Sequence, residues 1–127
     1  MLEKKTVYVC KHCGNVIEGL WNGTPSVQCC GEDMIKQEAN TVDASTEKHV
    51  PVIERNGNSV TVKIGDVAHP MTKEHYILFI EVIAGNKVYR QDFVEGDTTA
   101  EATFLIAEEE SIIARAYCNL HGFWSAE

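Results

Sequence analysis

Ser59-Val60-Thr61-Val62-Lys63-Ile64 alternates polar and apolar side chains without a break. That period of two puts Val60, Val62 and Ile64 on one face of an extended chain, the signature of a half-buried strand. The pattern recurs on both sides. Val50 to Glu54, Tyr76 to Ile83, Lys87 to Val94, Glu101 to Ile106 and Ser111 to Tyr117 read as further strands. Asn56-Gly57-Asn58, Gly85-Asn86 and Glu95-Gly96-Asp97 punctuate them, and Ala84-Gly85-Asn86-Lys87 reads as a tight hairpin. Glu108-Glu109-Glu110 reads as a turn or strand lead-in, and no segment carries a convincing helical period. Six or seven short strands at this spacing predict an antiparallel β-sandwich of immunoglobulin-like type.

The first part of the chain is different. Cys10-Lys11-His12-Cys13-Gly14 has the form of a knuckle turn, in which Gly14 is free to take positive φ. Val16 to Leu20 reads as a short strand and Asn22-Gly23 as a hairpin turn. Ser26-Val27-Gln28 then returns to a second knuckle, Cys29-Cys30-Gly31, giving the spacing Cys-x2-Cys-x15-Cys-Cys. A segment this small has too little apolar mass to fold alone, so a metal must hold it together. The chain is therefore expected to be all-β, a small metal-bound β ribbon followed by the sandwich. Residues 1–37 form the first domain, the small polar residues 38–46 a linker, and 47–127 the second domain.

Composition narrows the function. Of 127 residues 44% are hydrophobic, enough to pack a core in the second part. The net charge of −8 is unevenly placed: residues 1–36 hold four basic and four acidic residues, whereas residues 37–127 hold seven and fifteen. Nucleic acid or an anionic membrane would need a basic footprint, and neither is expected as a partner. Met1-Leu2-Glu3-Lys4-Lys5 leads directly into Val7-Tyr8-Val9-Cys10, without the apolar core of a signal peptide, and no run of apolar residues is long enough for a membrane span. A cytoplasmic location follows as the expectation. In that compartment the five cysteines read as metal ligands or reactive thiols rather than disulfides.

Cys10, Cys13, Cys29 and Cys30 supply four soft thiolates for one tetrahedral ion. A zinc ribbon and an iron centre with an electron-transfer role both satisfy that set. Adjacent Cys29 and Cys30 cannot form a relaxed Cys-x2-Cys clip, so distortion is expected there. His12 lies inside the first knuckle, where the thiolates already fill the shell, and is expected to be exposed and idle.

A second set lies further on. Cys118-Asn119-Leu120-His121-Gly122 offers a thiolate and an imidazole on a tight turn, and His49, His69 and His75 fall in the same half of the chain. Taken singly, each histidine reads more simply as a surface or satisfied side chain. Together they exceed what structural zinc takes and suggest five-coordinate iron(II) with one open position. One thiolate and four neutral imidazoles leave a ferrous ion with a net charge of +1, which attracts a small anion. A thiolate opposite the open position would push electron density onto the metal, as in thiolate-ligated haem. An electron carrier built on the ribbon alone, or a zinc-ribbon interaction module, leaves this second set unexplained.

In the combination of these motifs the chain resembles the desulfoferrodoxin family, the two-iron superoxide reductases. Cys-x2-Cys…Cys-Cys resembles the ribbon of desulforedoxin. Glu47-Lys48-His49-Val50-Pro51, Ala68-His69-Pro70-Met71 and Cys118-Asn119-Leu120-His121-Gly122 resemble the catalytic half. The resemblance implies two iron ions per chain. Cys10, Cys13, Cys29 and Cys30 would hold the first. His49, His69, His75 and His121 would hold the second equatorially, His121 through its other ring nitrogen, with Cys118 axial. Glu47 would correspond to the carboxylate at the sixth position in the ferric resting state, and Lys48 to the cation beside the open site. The implied activity is one-electron reduction of superoxide to hydrogen peroxide, with electrons from a rubredoxin-like donor. A homodimer is also implied.

Overall fold

The computed structural model describes residues 2–127 except Thr24, residues 43–48, residues 66–68, Glu95 and Thr98. Glu47 and Lys48 thus lie outside the described residues. The chain divides into two compact units, Met1–Glu38 and Ala39–Glu127.

Short strands build the first unit: β1 (Val7–Val9), β2 (Val16–Glu18), β3 (Gln28–Cys29), β4 (Glu32–Asp33) and β5 (Ile35–Lys36). They form a three-stranded sheet in the order β2-β1-β5 and a small β3-β4 pair. Val7, Tyr8 and Cys10 are buried, a very small core for a folded unit. Gly19 lies against the Glu3 carbonyl, where a Cβ would overlap the oxygen, so only glycine fits. The Asn22-Gly23 signal resolves differently from the hairpin expected of it. Gly23 makes an antiparallel bridge to Leu2, and the Asn22 side chain accepts a hydrogen bond from the Lys4 amide at 2.9 Å. The turn residue is used to bind the N-terminal segment.

The second unit holds β6 (Pro51–Asn56), β7 (Ser59–Ile64), β8 (Ile77–Ala84), β9 (Lys87–Asp92), β10 (Glu101–Leu105), β11 (Ile113–Cys118) and β12 (Gly122–Ala126). They pair antiparallel into two sheets, β10-β7-β6 and β12-β11-β8-β9. The alternation that began in Ser59–Ile64 supplies the filling. Val60, Val62 and Ile64 pack with Ile80, Val82, Ala84, Ala102, Ala114, Ala116 and Cys118 in one core. Gly57 and Gly85 stand at positive φ in two-residue loops that close β6-β7 and β8-β9. On the other face of the four-stranded sheet, Glu81 and Arg115 are cross-strand partners, with Arg115 Nη2 2.6 Å from Glu81 Oε1 and both side chains buried.

Two features lay outside the strands and linker assigned from sequence. The seventh strand of the second unit, β12, follows the turn after Cys118, in residues to which no strand was assigned. Asn40, inside the expected 38–46 linker, pairs with that strand: its amide donates to the Phe123 carbonyl at 2.9 Å and its carbonyl accepts from Ser125 at 3.0 Å. Polar composition carries no trace of such backbone pairing. Residues 43–46 of the linker lie outside the described set. Among the described residues, no helix is long and apolar enough to cross a membrane.

Candidate metal centres

The four cysteines of the first unit converge, their sulfurs lying within 4.8 Å of one another. Cys13 Sγ is 3.5 Å from Cys29 Sγ, and Cys29 Sγ is 4.0 Å from Cys30 Sγ. Metal–sulfur bonds of about 2.3 Å in a tetrahedron require edges of about 3.8 Å, so the cluster fits one ion. The difficulty of adjacent cysteines is met by the backbone. Cys30 takes φ +54° and Gly31 φ +79°, and this left-handed step keeps the two neighbouring thiols from pointing to opposite sides as they would in a strand. Asn15 Nδ2 lies 3.6 Å from Cys29 Sγ, a donor that the cysteine spacing alone did not disclose.

The cluster also distorts the thiol acidities. The Cys13 backbone amide, pointing at its sulfur, draws Cys10 down to about 6 against opposition from burial. Hydrogen bonds that the Cys30 thiol donates to Cys13 and Cys10 push Cys30 up to about 12, and the same partners raise Cys29. Four close thiols without a cation do not all ionise. A divalent ion reverses that balance, so capture displaces protons from Cys29 and Cys30 and weakens as pH falls. His12 is exposed, with Nε2 3.2 Å from Glu32 Oε1, and takes no part in the cysteine cluster.

In the second unit the candidate residues gather at one end of the sandwich. His49 lies two residues ahead of β6, His75 two residues ahead of β8, and Cys118 ends β11. His121 sits in the three-residue loop Asn119-Leu120-His121 that joins β11 to β12, closed by Cys118 opposite Gly122. Gly122 stands at φ +86°, the left-handed position that completes this type of hairpin. A bulge in the β8-β11 pairing lies between Tyr117 and Cys118, next to the site.

The imidazoles form a ring. Centroid separations are 4.7 Å for His49–His69, 4.6 Å for His69–His75, 5.0 Å for His75–His121 and 4.9 Å for His121–His49. The His49–His75 diagonal is 6.3 Å. Donor atoms of His49, His75, Cys118 and His121 lie within 4.8 Å of one another; His69 is outside that tighter group and enters only as the fourth corner of the ring. Metal–nitrogen bonds of about 2.1 Å place opposite nitrogens about 4.2 Å apart, so this donor set suits a single ion. Cys118 is fully buried, and its Sγ lies 3.8 Å from His121 Nδ1. His69 Nδ1 is 2.7 Å from the Pro70 carbonyl, a contact that makes Nδ1 the protonated nitrogen and leaves Nε2 the one with a lone pair to give.

One residue of this site went unread in the sequence. Trp124 stacks on His49 at 4.8 Å and 16° between planes, and its Nε1 donates to the His121 carbonyl at 3.2 Å. Its neighbour relations come from β12, whose register sets Trp124 opposite Ala116. Trp124 carries no metal-binding atom, so ligand spacing could not have found it.

Comparison with known proteins agrees with this geometry. The desulfoferrodoxin family profile matches residues 41–127, and that of the desulfoferrodoxin N-terminal domain matches residues 2–36. A desulfoferrodoxin from Desulfarculus baarsii is 49% identical over 127 residues, spanning 100% of this chain and 99% of the relative. The crystal structure of the superoxide reductase from Treponema pallidum matches with a TM-score of 0.78 at 33% identity, over 96% of this chain and 97% of that one. A superoxide reductase (1Fe-SOR) from Giardia intestinalis matches with a TM-score of 0.58 at 36% identity, over 64% of this chain and 96% of its own. With both units matched across nearly its whole length, the chain belongs to the desulfoferrodoxin family.

Proposed function

We propose that this protein is a superoxide reductase, an oxidoreductase that converts superoxide to hydrogen peroxide. The observation that carries the reading is the ring of His49, His69, His75 and His121 beside the buried thiol of Cys118. Two iron ions per chain fit the two donor sets. Iron held by the second set would supply the one electron that superoxide takes up.

The side chains determine why that chemistry runs in this direction. Cys118, buried from water, would as thiolate raise electron density at a bound iron. With four neutral imidazoles and the one thiolate, a ferrous ion held there would keep a net charge of +1, favourable to an approaching anion. The resemblance assigns Lys48 as the cation that would favour an incoming anion and Glu47 as the carboxylate that would bind the oxidised iron. Superoxide, one electron and two solvent protons balance to one hydrogen peroxide. A rubredoxin-like donor returns the electron. The protein works in the cytoplasm as a homodimer, with residues 1–37 holding the first iron, 38–46 linking and 47–127 carrying the reaction.

Metal analysis joined to optical spectroscopy tests the reading. Two irons per chain and visible thiolate-to-iron absorption are expected, with the band of the second centre lost in Cys118→Ser together with most of the activity. A core cysteine would accept serine at a modest cost in stability and leave the spectrum alone. Two zinc ions in a colourless protein, or a band indifferent to Cys118→Ser, would overturn it.

A further inference from the structure

The Cys-Asn-Leu-His-Gly turn contains one polar side chain that the metal site does not use, Asn119. Its backbone amide donates to the Tyr76 carbonyl at 3.1 Å. Its Oδ1 accepts from the Tyr76 amide at 2.9 Å, and its Nδ2 donates to the Glu74 carbonyl at 2.9 Å. The side-chain amide therefore grips the backbone immediately before and immediately after His75. Thr72 holds the residue between: His75 N donates to Thr72 Oγ1 at 3.1 Å, and the Thr72 amide donates to the His75 carbonyl at 2.9 Å.

We propose that Asn119 is a positioning residue that fixes the His75 imidazole relative to the Cys118 sulfur. The inference rests on the reading of His75 and Cys118 as ligands of one metal. His75 lies outside β8, so the ladder that aligns β8 with β11 stops short of it. Asn119 directly follows Cys118 and takes over where the ladder ends. Only a side chain with a donor and an acceptor side by side can bridge these two peptide groups. Aspartate lacks the donor and would set a carboxylate against the Glu74 carbonyl; alanine removes both bonds. Asn119 and Glu74 are exposed, so these bonds add little to core stability, whereas ligand geometry responds to displacements of about half an ångström.

The test uses the full chain with Co(II) as the probe. In Asn119→Ala, Co(II) affinity at the histidine–cysteine site should fall about 10- to 100-fold, the range for partners that orient a metal ligand. Its thiolate-to-metal band should shift or broaden, and the Tyr76 amide should exchange faster with deuterium. Co(II) binding to the four-cysteine site and the thermal unfolding of the metal-free chain should stay as in the parent. Leu120→Ala, on the same loop with Leu120 60% exposed, should change none of these and controls for disturbance of the turn. An Asn119→Ala protein with parental affinity and band overturns the role of Asn119, as does one that melts earlier with its band unchanged. A parent protein with no Cys118-dependent Co(II) band would instead defeat the ligand reading itself.

Discussion

Lys48 stands directly before the proposed ligand His49, in a part of the chain that carries eight more acidic than basic residues. A field of that sign slows an anion, so fast reaction with superoxide needs a positive charge within about 8–10 Å of the metal. Lys48→Ala should lower the second-order rate with superoxide by up to about tenfold, without changing metal content or spectrum. The loss should shrink as salt is added, and Lys48→Arg should keep most of the rate. An Ala variant as fast as the parent at low salt would remove the steering role. Ligand types of this kind are legible in sequence because their chemistry is local: thiols and imidazoles at short spacing announce a metal. Asn15, Asn119 and Trp124 are not, because they act through contacts that only the folded register creates. His69 lies between the two cases. Its motif marks it, but its place as the fourth corner of the ring appears only in the assembled site.

The β11-β12 hairpin joins fold to chemistry, since one three-residue loop carries His121 and is bounded by Cys118 and Gly122. No atom lies within 4 Å of a Cβ built at Gly122, so the cost of a side chain there is conformational alone. At φ +86° Gly122→Ala should cost about 1–2 kcal/mol, read as a lower denaturation midpoint of the second unit. The same substitution should perturb the second centre's band, because the loop must move to relieve the strain. A stable variant with an unchanged spectrum would show that the turn does not set the ligand geometry. Strands β6 to β11 were legible from their alternation and turn residues, to within a residue or two at their ends. β12 was not, because its first residue belongs to the ligand motif and Phe123-Trp124 follow at once with no turn signal between. Cys30 shows the same limit in the ribbon: its left-handed backbone, which lets neighbouring cysteines share an ion, has no mark in composition.

The two ligand sets fall wholly within separate units, four cysteines before Glu38 and the histidine–cysteine set after Ala39. Each set is completed by its own unit, so the sites should load independently. Cys13→Ser should remove the ribbon metal and loosen residues 1–38, whose own core is too small to fold without it. The second centre should keep its metal, spectrum and rate with superoxide. Loss of that reaction in Cys13→Ser would show that the first centre is required for it. The pairing of Asn40 with β12 left no mark in the sequence, since a bridge of backbone atoms leaves no constraint on side-chain type. The central claim is that this protein reduces superoxide without oxidising a second molecule of it. The direct measurement mixes the fully reduced protein with a limiting pulse of superoxide and counts both products. One hydrogen peroxide per superoxide consumed, with one electron lost from the second centre and no dioxygen released, is the predicted result. Dioxygen appearing with half an equivalent of peroxide would mark dismutation, and no oxidation of the centre would mark no reaction; either contradicts the account.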